Sequence, residues 1–531
     1  MSGAAPDVND GTSYSLSGTA DGVGVDEDLA RQGDPPRATV SQQAASGVVW
    51  LTIQKWATRL LGFVTIAILT RLLSPEDFGA VAAATTVLPF FYLLADFGFA
   101  AYIVQADRAD QRLLSTGFWF STVAGFGLGG ALVLIAPLFG LVYRGSQTVP
   151  ILQVLALSML ITALSSVPNA LLRRSMRFAT IASQGTISAV IGQVAAIIMA
   201  VAGLGAWALV GQTLASGLVG SVLAWIAAKW RPSFVFSRGD FITMARYGGQ
   251  VLGVEFVAVL RAWAEAAIVS ASLGMAALGY LSIAQRLVLI VQELTGGALI
   301  PVSTVAFAKI RDSRARLTSA YLRASRVTYT ALSLPLIMVA VAAPLIVPIV
   351  FGDGWSLSSQ LAQILALAGT LTVGASLDHG LFYGTGKPGV WFVYAVIIDA
   401  VTVSATAIAV HWGLLPVAWA FLAVAFAATS ARWFLVARLL QTHLRTVTRP
   451  FIFLCLALGV TGASGWGMVS LTAALPPMGG VALVGVVVFS VHLILVRLVA
   501  RDVIEEATLF VRRSKWARFL APPRVKVGRD R

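Results

Sequence analysis

Charge is scarce in this sequence. Only 12% of its 531 residues are Asp, Glu, Lys or Arg, and 57% are hydrophobic. Soluble chains carry about a quarter charged residues, so a water-soluble multidomain protein is excluded. Cysteine is nearly absent. The single one, Cys455, lies in an apolar run, which excludes a disulfide framework and a thiolate metal site. The four histidines are scattered and no zinc-binding spacing occurs. Residues 1–45 lack a basic start and an apolar core, so no cleavable signal peptide is visible. Nucleotide motifs are missing too. Gly125-x-Gly127-x-x-Gly130 sits inside an apolar run with no strand before it, which reads as a helix contact. Gly386-Lys387 has Leu381 where a phosphate loop needs glycine, and Pro388 in place of Ser or Thr. Asp26-Glu27-Asp28 lies in an acidic tail rather than a sugar-nucleotide site. No cofactor is expected, and nothing here would power transport by ATP hydrolysis.

What is present is apolar sequence in long runs. Mean hydropathy is +0.83, and a span needs about 20 apolar residues. The pattern predicts an all-α polytopic membrane protein of about fourteen transmembrane helices, from 46–70 to 480–500. The predicted division is a disordered acidic tail at 1–45, a six-helix lobe at 46–228 and a linker at 229–244. A second six-helix lobe at 245–440, two appended helices at 450–500 and a basic tail at 501–531 follow. The basic tail either lies flat on the membrane or is solvated. Lys and Arg crowd alternate connections, including 171–178, 229–246, 309–326 and 438–449, whereas the intervening ones hold only Arg71 and Arg144. By the positive-inside rule the crowded side and both termini face the cytoplasm. The net charge of +14 then faces an anionic leaflet, and nucleic acid is not an expected partner.

The apolar runs repeat. Leu73-Ser74-Pro75-Glu76-Asp77-Phe78-Gly79-Ala80 is echoed 200 positions later by Leu273-Gly274-Met275-Ala276-Ala277-Leu278-Gly279-Tyr280. Gln153-Val154-Leu155-Ala156-Leu157 returns 210 positions later as Gln363-Ile364-Leu365-Ala366-Leu367. An even number of spans per half gives both halves one orientation, a parallel repeat. Such repeats suggest alternating access around a site between them.

Charges inside the spans are costly and so carry the chemistry. Lys55 and Arg59 lie one helical turn apart on the first span, and Asp96 lies within the second. Glu255, Arg261 and Glu265 share the seventh span, with Arg261 and Glu265 spaced to pair within the helix. Arg286 and Glu293 fall on one face of the eighth span, and Asp399 lies in the eleventh. Asp96 is read either as functional or as hydrogen-bonding neighbouring backbone. Asp378 and Arg432 lie near enough to span ends to reach the interface. The 200-residue offset puts Lys55 and Glu255 at equivalent positions, as a gate pair or two sides of a site.

The turn Leu69-Thr70-Arg71-Leu72-Leu73-Ser74-Pro75-Glu76-Asp77-Phe78-Gly79 resembles that of polysaccharide-repeat-unit flippases, the Wzx-like transporters. Pro168-Asn169-Ala170-Leu171-Leu172-Arg173-Arg174-Ser175-Met176-Arg177-Phe178, Gly205 through Val210, and Ala366 through Pro388 are similar to the same family. The resemblance implies two six-helix lobes around a central cavity with two extra helices. It implies a non-enzymatic flippase that moves undecaprenyl-pyrophosphate-linked oligosaccharides across the inner membrane, among membrane lipids and beside a polymerase and other glycan-assembly proteins. Lys55, Arg59, Arg261 and Arg286 are then the candidates for binding the pyrophosphate. Glu255, Asp399 and Asp96 are the candidates for ion coupling or gating. A drug extruder or lipid II flippase of the same superfamily, and a membrane glycan polymerase, are the alternatives. The short predicted outward loops speak against the polymerase.

Overall fold

The computed structural model describes residues 37–499 except 107, 144–146, 297–298 and 473–475. Among the described residues, regular structure is helix alone. In chain order the helices are α1 (Arg37–Leu72), α2 (Pro75–Asp96), α3 (Phe99–Gln105), α4 (Gln111–Tyr143), α5 (Thr148–Leu155), α6 (Leu157–Arg174), α7 (Phe178–Val201) and α8 (Trp207–Ala228). The second set is α9 (Arg238–Leu273), α10 (Met275–Gly296), α11 (Leu299–Ile310), α12 (Arg314–Phe351), α13 (Ser356–Thr372), α14 (Ala375–Gly384), α15 (Pro388–Ala409) and α16 (Leu414–Leu440). Two more, α17 (Leu444–Leu471) and α18 (Pro477–Val499), pack on α12.

The chain is a multi-pass membrane protein. Twelve helical stretches among the described residues are long and apolar enough to cross a membrane. The expected first and thirteenth spans are also helical, as α1 and α17. The first carries Lys55, Arg59 and Arg71 between Trp50 and Leu72. Large side chains such as Leu134 (81% exposed) and Phe126 (71%) point outward, as a lipid-facing surface requires.

Three basic stretches expected as loops are shorter than anticipated. α12 already starts at Arg314, α9 at Arg238 and α17 at Leu444. Arg and Lys tolerate a helix well once the chain has left the apolar layer, so hydropathy alone misplaces these ends.

The 73–75 turn shows why its sequence is distinctive. Ser74 caps α2: its hydroxyl accepts from the Asp77 amide at 3.2 Å, and Asp77 accepts from the Ser74 amide at 2.9 Å. Pro75 opens the helix, where a missing N–H costs nothing. The second Asp77 oxygen accepts from the Ala206 amide at 3.1 Å, tying this turn to the start of α8. α2 ends where Phe97 and Gly98 turn left-handed, at φ 46° and 73°.

The two lobes meet at this end. α2 and α10, which start 200 positions apart, cross each other. Trp355, 2% exposed, fills the space beside them, with Phe78 and Tyr280 packed edge-on at 5.2 and 5.7 Å. Its indole donates to the Thr70 carbonyl at 2.9 Å, and Arg71 donates to the Ile349 carbonyl at 2.5 Å. The first half is thereby fastened to the second. The basic clusters Arg173, Arg174, Lys229, Arg231, Arg314 and Arg438 collect at the opposite end of the helices.

The joint between the halves is strapped to the first. Trp119 donates to the Ser233 carbonyl at 2.8 Å, Trp230 to the Gln111 side chain at 2.7 Å, and the Ser237 amide to Thr116 at 3.0 Å. Arg112 and Asp240 face each other at 3.6 Å, so the first turn of α9 rests on α4. Further along, α9 packs on α15 of the other half.

Candidate functional site: a cavity between the lobes

A cavity of about 980 Å³ lies below the Trp355 seal, with walls from both halves. The first half offers neutral polar groups: Thr85 and Thr86 from α2, and Gln212, Thr213 and Ser216 from α8. The second half offers the charges: Arg261 and Glu265 from α9, Arg286 from α10 and Asp399 from α15.

These charges form two poles. Arg261 lies between two carboxylates, 2.6 Å from Glu265 and 3.0 Å from Asp399. The group holds one cation against two anions, so it carries an excess of negative charge able to receive a proton or a small cation. The other pole is positive. Arg286 extends into the cavity with no ion pair among the described residues, and Arg59 of α1 is its charged neighbour. Arg59 itself pairs with Glu293 of α10. Of the two arginines only Arg59 has a carboxylate partner among the described residues, which leaves capacity for an incoming anion.

The expected site residues are distributed as follows. Arg261, Arg286 and Asp399 line the cavity; Lys55, Arg59 and Asp96 are not in its wall. Lys55 is exposed on α1. The Glu255 side chain lies outside the described residues, as do the acidic triplet at 26–28 and the basic tail. An inter-lobe ion pair does exist, but it joins Arg59 to Glu293. Asp96 accepts a hydrogen bond from the Ser166 hydroxyl of α6 at 2.7 Å, a side-chain partner on another helix rather than the neighbouring backbone. Arg261 does pair with Glu265 within α9, and Asp399 joins them from another helix.

Asp378 and Arg432 correct the expectation that they reach the interface. Both are 1% exposed, and they bind each other at 3.0 Å. Tyr321 donates to Asp378 at 2.6 Å, and Arg432 also donates to the Leu371 carbonyl and to Thr429. In a closed core the alternative to pairing is an unsolvated charge, so the partners find each other across α14 and α16. Two opposite charges in spans of one lobe were the available signal. Of Gly125, Gly127 and Gly130, only Gly125 is a helix contact: a Cβ there would stand 2.6 Å from that of Ala163, whereas one at Gly127 or Gly130 would meet nothing within 4 Å among the described residues.

A family profile described as polysaccharide biosynthesis protein matches residues 68–360. The chain belongs to that polysaccharide biosynthesis protein family. It is 27% identical over 362 residues to the succinoglycan biosynthesis transport protein ExoT of Rhizobium meliloti, covering 68% of this chain and 73% of that one. It is 24% identical over 430 residues to the teichuronic acid biosynthesis protein TuaB of Bacillus subtilis, covering 78% and 87%. Among solved structures, the lipid II flippase MurJ in an inward closed conformation superposes with a TM-score of 0.70 at 14% identity, covering 86% of this chain and 100% of that one. An inward-facing multidrug resistance MATE family transporter superposes at 0.59 with 17% identity, covering 74% and 99%. These likenesses establish the fold of two six-helix lobes around a central cavity.

Proposed function

We propose that this family member moves an undecaprenyl-pyrophosphate-linked oligosaccharide repeat unit across the inner membrane for polysaccharide assembly, by alternating access. It is a transporter and not an enzyme. The observation that carries the reading is the cavity itself, closed at the 73–75 end, with Arg286, which has no ion pair among the described residues, beside a neutral polar wall. A pyrophosphate needs cations and a glycan needs hydroxyl and amide partners; hydrocarbon supplies neither. The names of ExoT and TuaB support polysaccharide assembly as the setting.

In this reading, residues 46–228 and 245–440 are the moving halves and both termini are cytoplasmic. The crowded Lys/Arg end faces the cytoplasm and gathers the anion. Arg286 holds the pyrophosphate, with Arg59 and Lys55 along its approach. Arg261 moves between its carboxylates and the substrate. Asp399 and Glu255 couple transport to a cation or proton. A second reading, lipid II as cargo, is favoured by the superposition on MurJ; it also presents a pyrophosphate to the same arginines.

Deletion of the gene separates the two. Loss of surface polysaccharide, with repeat-unit lipid accumulating on the inner leaflet and cell-wall synthesis intact, is the expected result. Normal polysaccharide with lipid II accumulation would establish the second reading instead.

A further inference from the structure

A second, smaller cavity of about 300 Å³ opens between α7 and α8 of the first lobe. It shares Gln212 and Ser216 with the central cavity, so the two adjoin at α8. Ser188 and Gln193 of α7 complete its polar lining. No charged side chain lines it.

Gln193 is the telling residue. It is 8% exposed, and its amide has no hydrogen-bond partner among the described residues. The same holds for the Gln212 side chain, half-buried on the facing helix. Neither amide is sealed off as a buried group without a partner, so both reach the open space of the pocket and can exchange water for a ligand's polar groups. The Gln193 Nε2 also lies beside Gly62 of α1, where a Cβ would stand 3.8 Å away in ordinary contact. The wall is also held in place. At Gly192 the two helices touch so closely that a Cβ would lie 2.8 Å from the Gln212 carbonyl.

We propose that this side pocket is the sugar-reading subsite of the cavity, where Gln193 and Gln212 exchange hydrogen bonds with hydroxyl or acetamido groups of the carried glycan. The inference rests on the flippase reading above and deepens it. A primary amide offers both donors and an acceptor, which matches a sugar hydroxyl or an acetamido group in a way neither a cation nor an apolar wall does. The absence of charge in the lining excludes the pyrophosphate from this pocket and leaves it to Arg286. Sugar and headgroup are thus bound by opposite walls, and selectivity comes from unpaired amides that a wrong sugar leaves unsatisfied.

The test uses the full chain in lipid nanodiscs and two probes. One is the lipid-linked repeat unit extracted from the producing bacterium; the other is undecaprenyl pyrophosphate with no sugar. The unaltered chain should bind the sugar-bearing lipid more tightly. Gln193→Leu and Gln212→Leu should each weaken that binding by roughly tenfold, about the loss of one or two hydrogen bonds, and leave the bare lipid unaffected. Gln193→Ala and Gln212→Ala, which add no bulk, serve if the leucine variants fail to insert. Retention of the sugar preference in the variants would overturn the subsite, as would equal weakening of both lipids. Equal binding of both probes by the unaltered chain would overturn the subsite alone. Binding of neither would overturn the flippase reading with it.

Discussion

Gly79 and Gly279 face each other across the lobe interface as mirror partners. A Cβ on Gly79 would fall 1.8 Å from the Met275 carbonyl oxygen, and one on Gly279 would fall 1.9 Å from that of Pro75. Each glycine lies one turn into its helix, and each meets the first residue of the other. No other residue type permits that approach, so this end closes only with hydrogen at both positions.

Substitution of either glycine should therefore hold the end open. Gly279→Ala is expected to cut glycan export by at least about tenfold while membrane insertion stays normal. Cysteines at Ser74 and Gly274, in a Cys455→Ala background, report the closure. Their cross-linking should fall in the Gly279→Ala chain; undiminished cross-linking would show that the lobes accommodate the methyl group.

The Arg261 group predicts a non-additive pair. Arg261→Ala leaves Glu265 and Asp399 without their shared cation, and export should drop by roughly tenfold or more. Adding Asp399→Asn removes one of the stranded charges and should restore part of the activity. Losses that simply multiply in the double variant would mean that the two side chains act independently.

Arg59 and Glu293 should be exchangeable in part. Each single reversal, Arg59→Glu or Glu293→Arg, places like charges together across the lobes and is expected to impair export severely. The double reversal keeps the pair but moves the cation, so export should recover incompletely. Arg286→Ala, which breaks no ion pair, is expected to lower affinity for undecaprenyl pyrophosphate by roughly tenfold with little change in thermal stability. A fall in stability without a change in affinity would reassign Arg286 to packing.

Asp378 and Arg432 are expected to matter for stability rather than cargo. Arg432→Leu strands a buried carboxylate and should cost about 3–5 kcal/mol. The double change Arg432→Leu with Asp378→Leu removes both charges and should recover most of it. Thermal unfolding in detergent measures both, and lipid binding by the double variant should match that of the unaltered chain.

Much of this architecture could be read from the residues. Apolar runs marked the membrane passes, and the echo of 73–80 in 273–280 anticipated α2 and α10, which begin at Pro75 and Met275. Arg261 and Glu265 pair as their four-residue spacing suggests. Contacts between distant helices were not legible. Asp399 reaches Arg261 from α15, and Glu293 of α10 reaches Arg59 from across the lobes, because each residue of register turns a side chain by about 100°. Gln193 and Gln212 gave no signal at all: a neutral amide in an apolar run looks the same whether it faces a neighbour or an empty pocket.

The closure around Trp355 has a consequence for the conditions under which it holds. Among the described residues, no ion pair joins the lobes at that end. Carbonyl oxygens, an indole, the Arg71 guanidinium and two glycines do the joining. Such contacts are nearly indifferent to ionic strength, whereas exposed charges lose their mutual influence beyond about 10 Å at 0.1 M salt. On the flippase reading, the latch that meets the changing medium outside the cell is the one dilution or brine leaves alone. On the same reading the cation-rich mouth, which salt would weaken, opens onto the buffered cytoplasm.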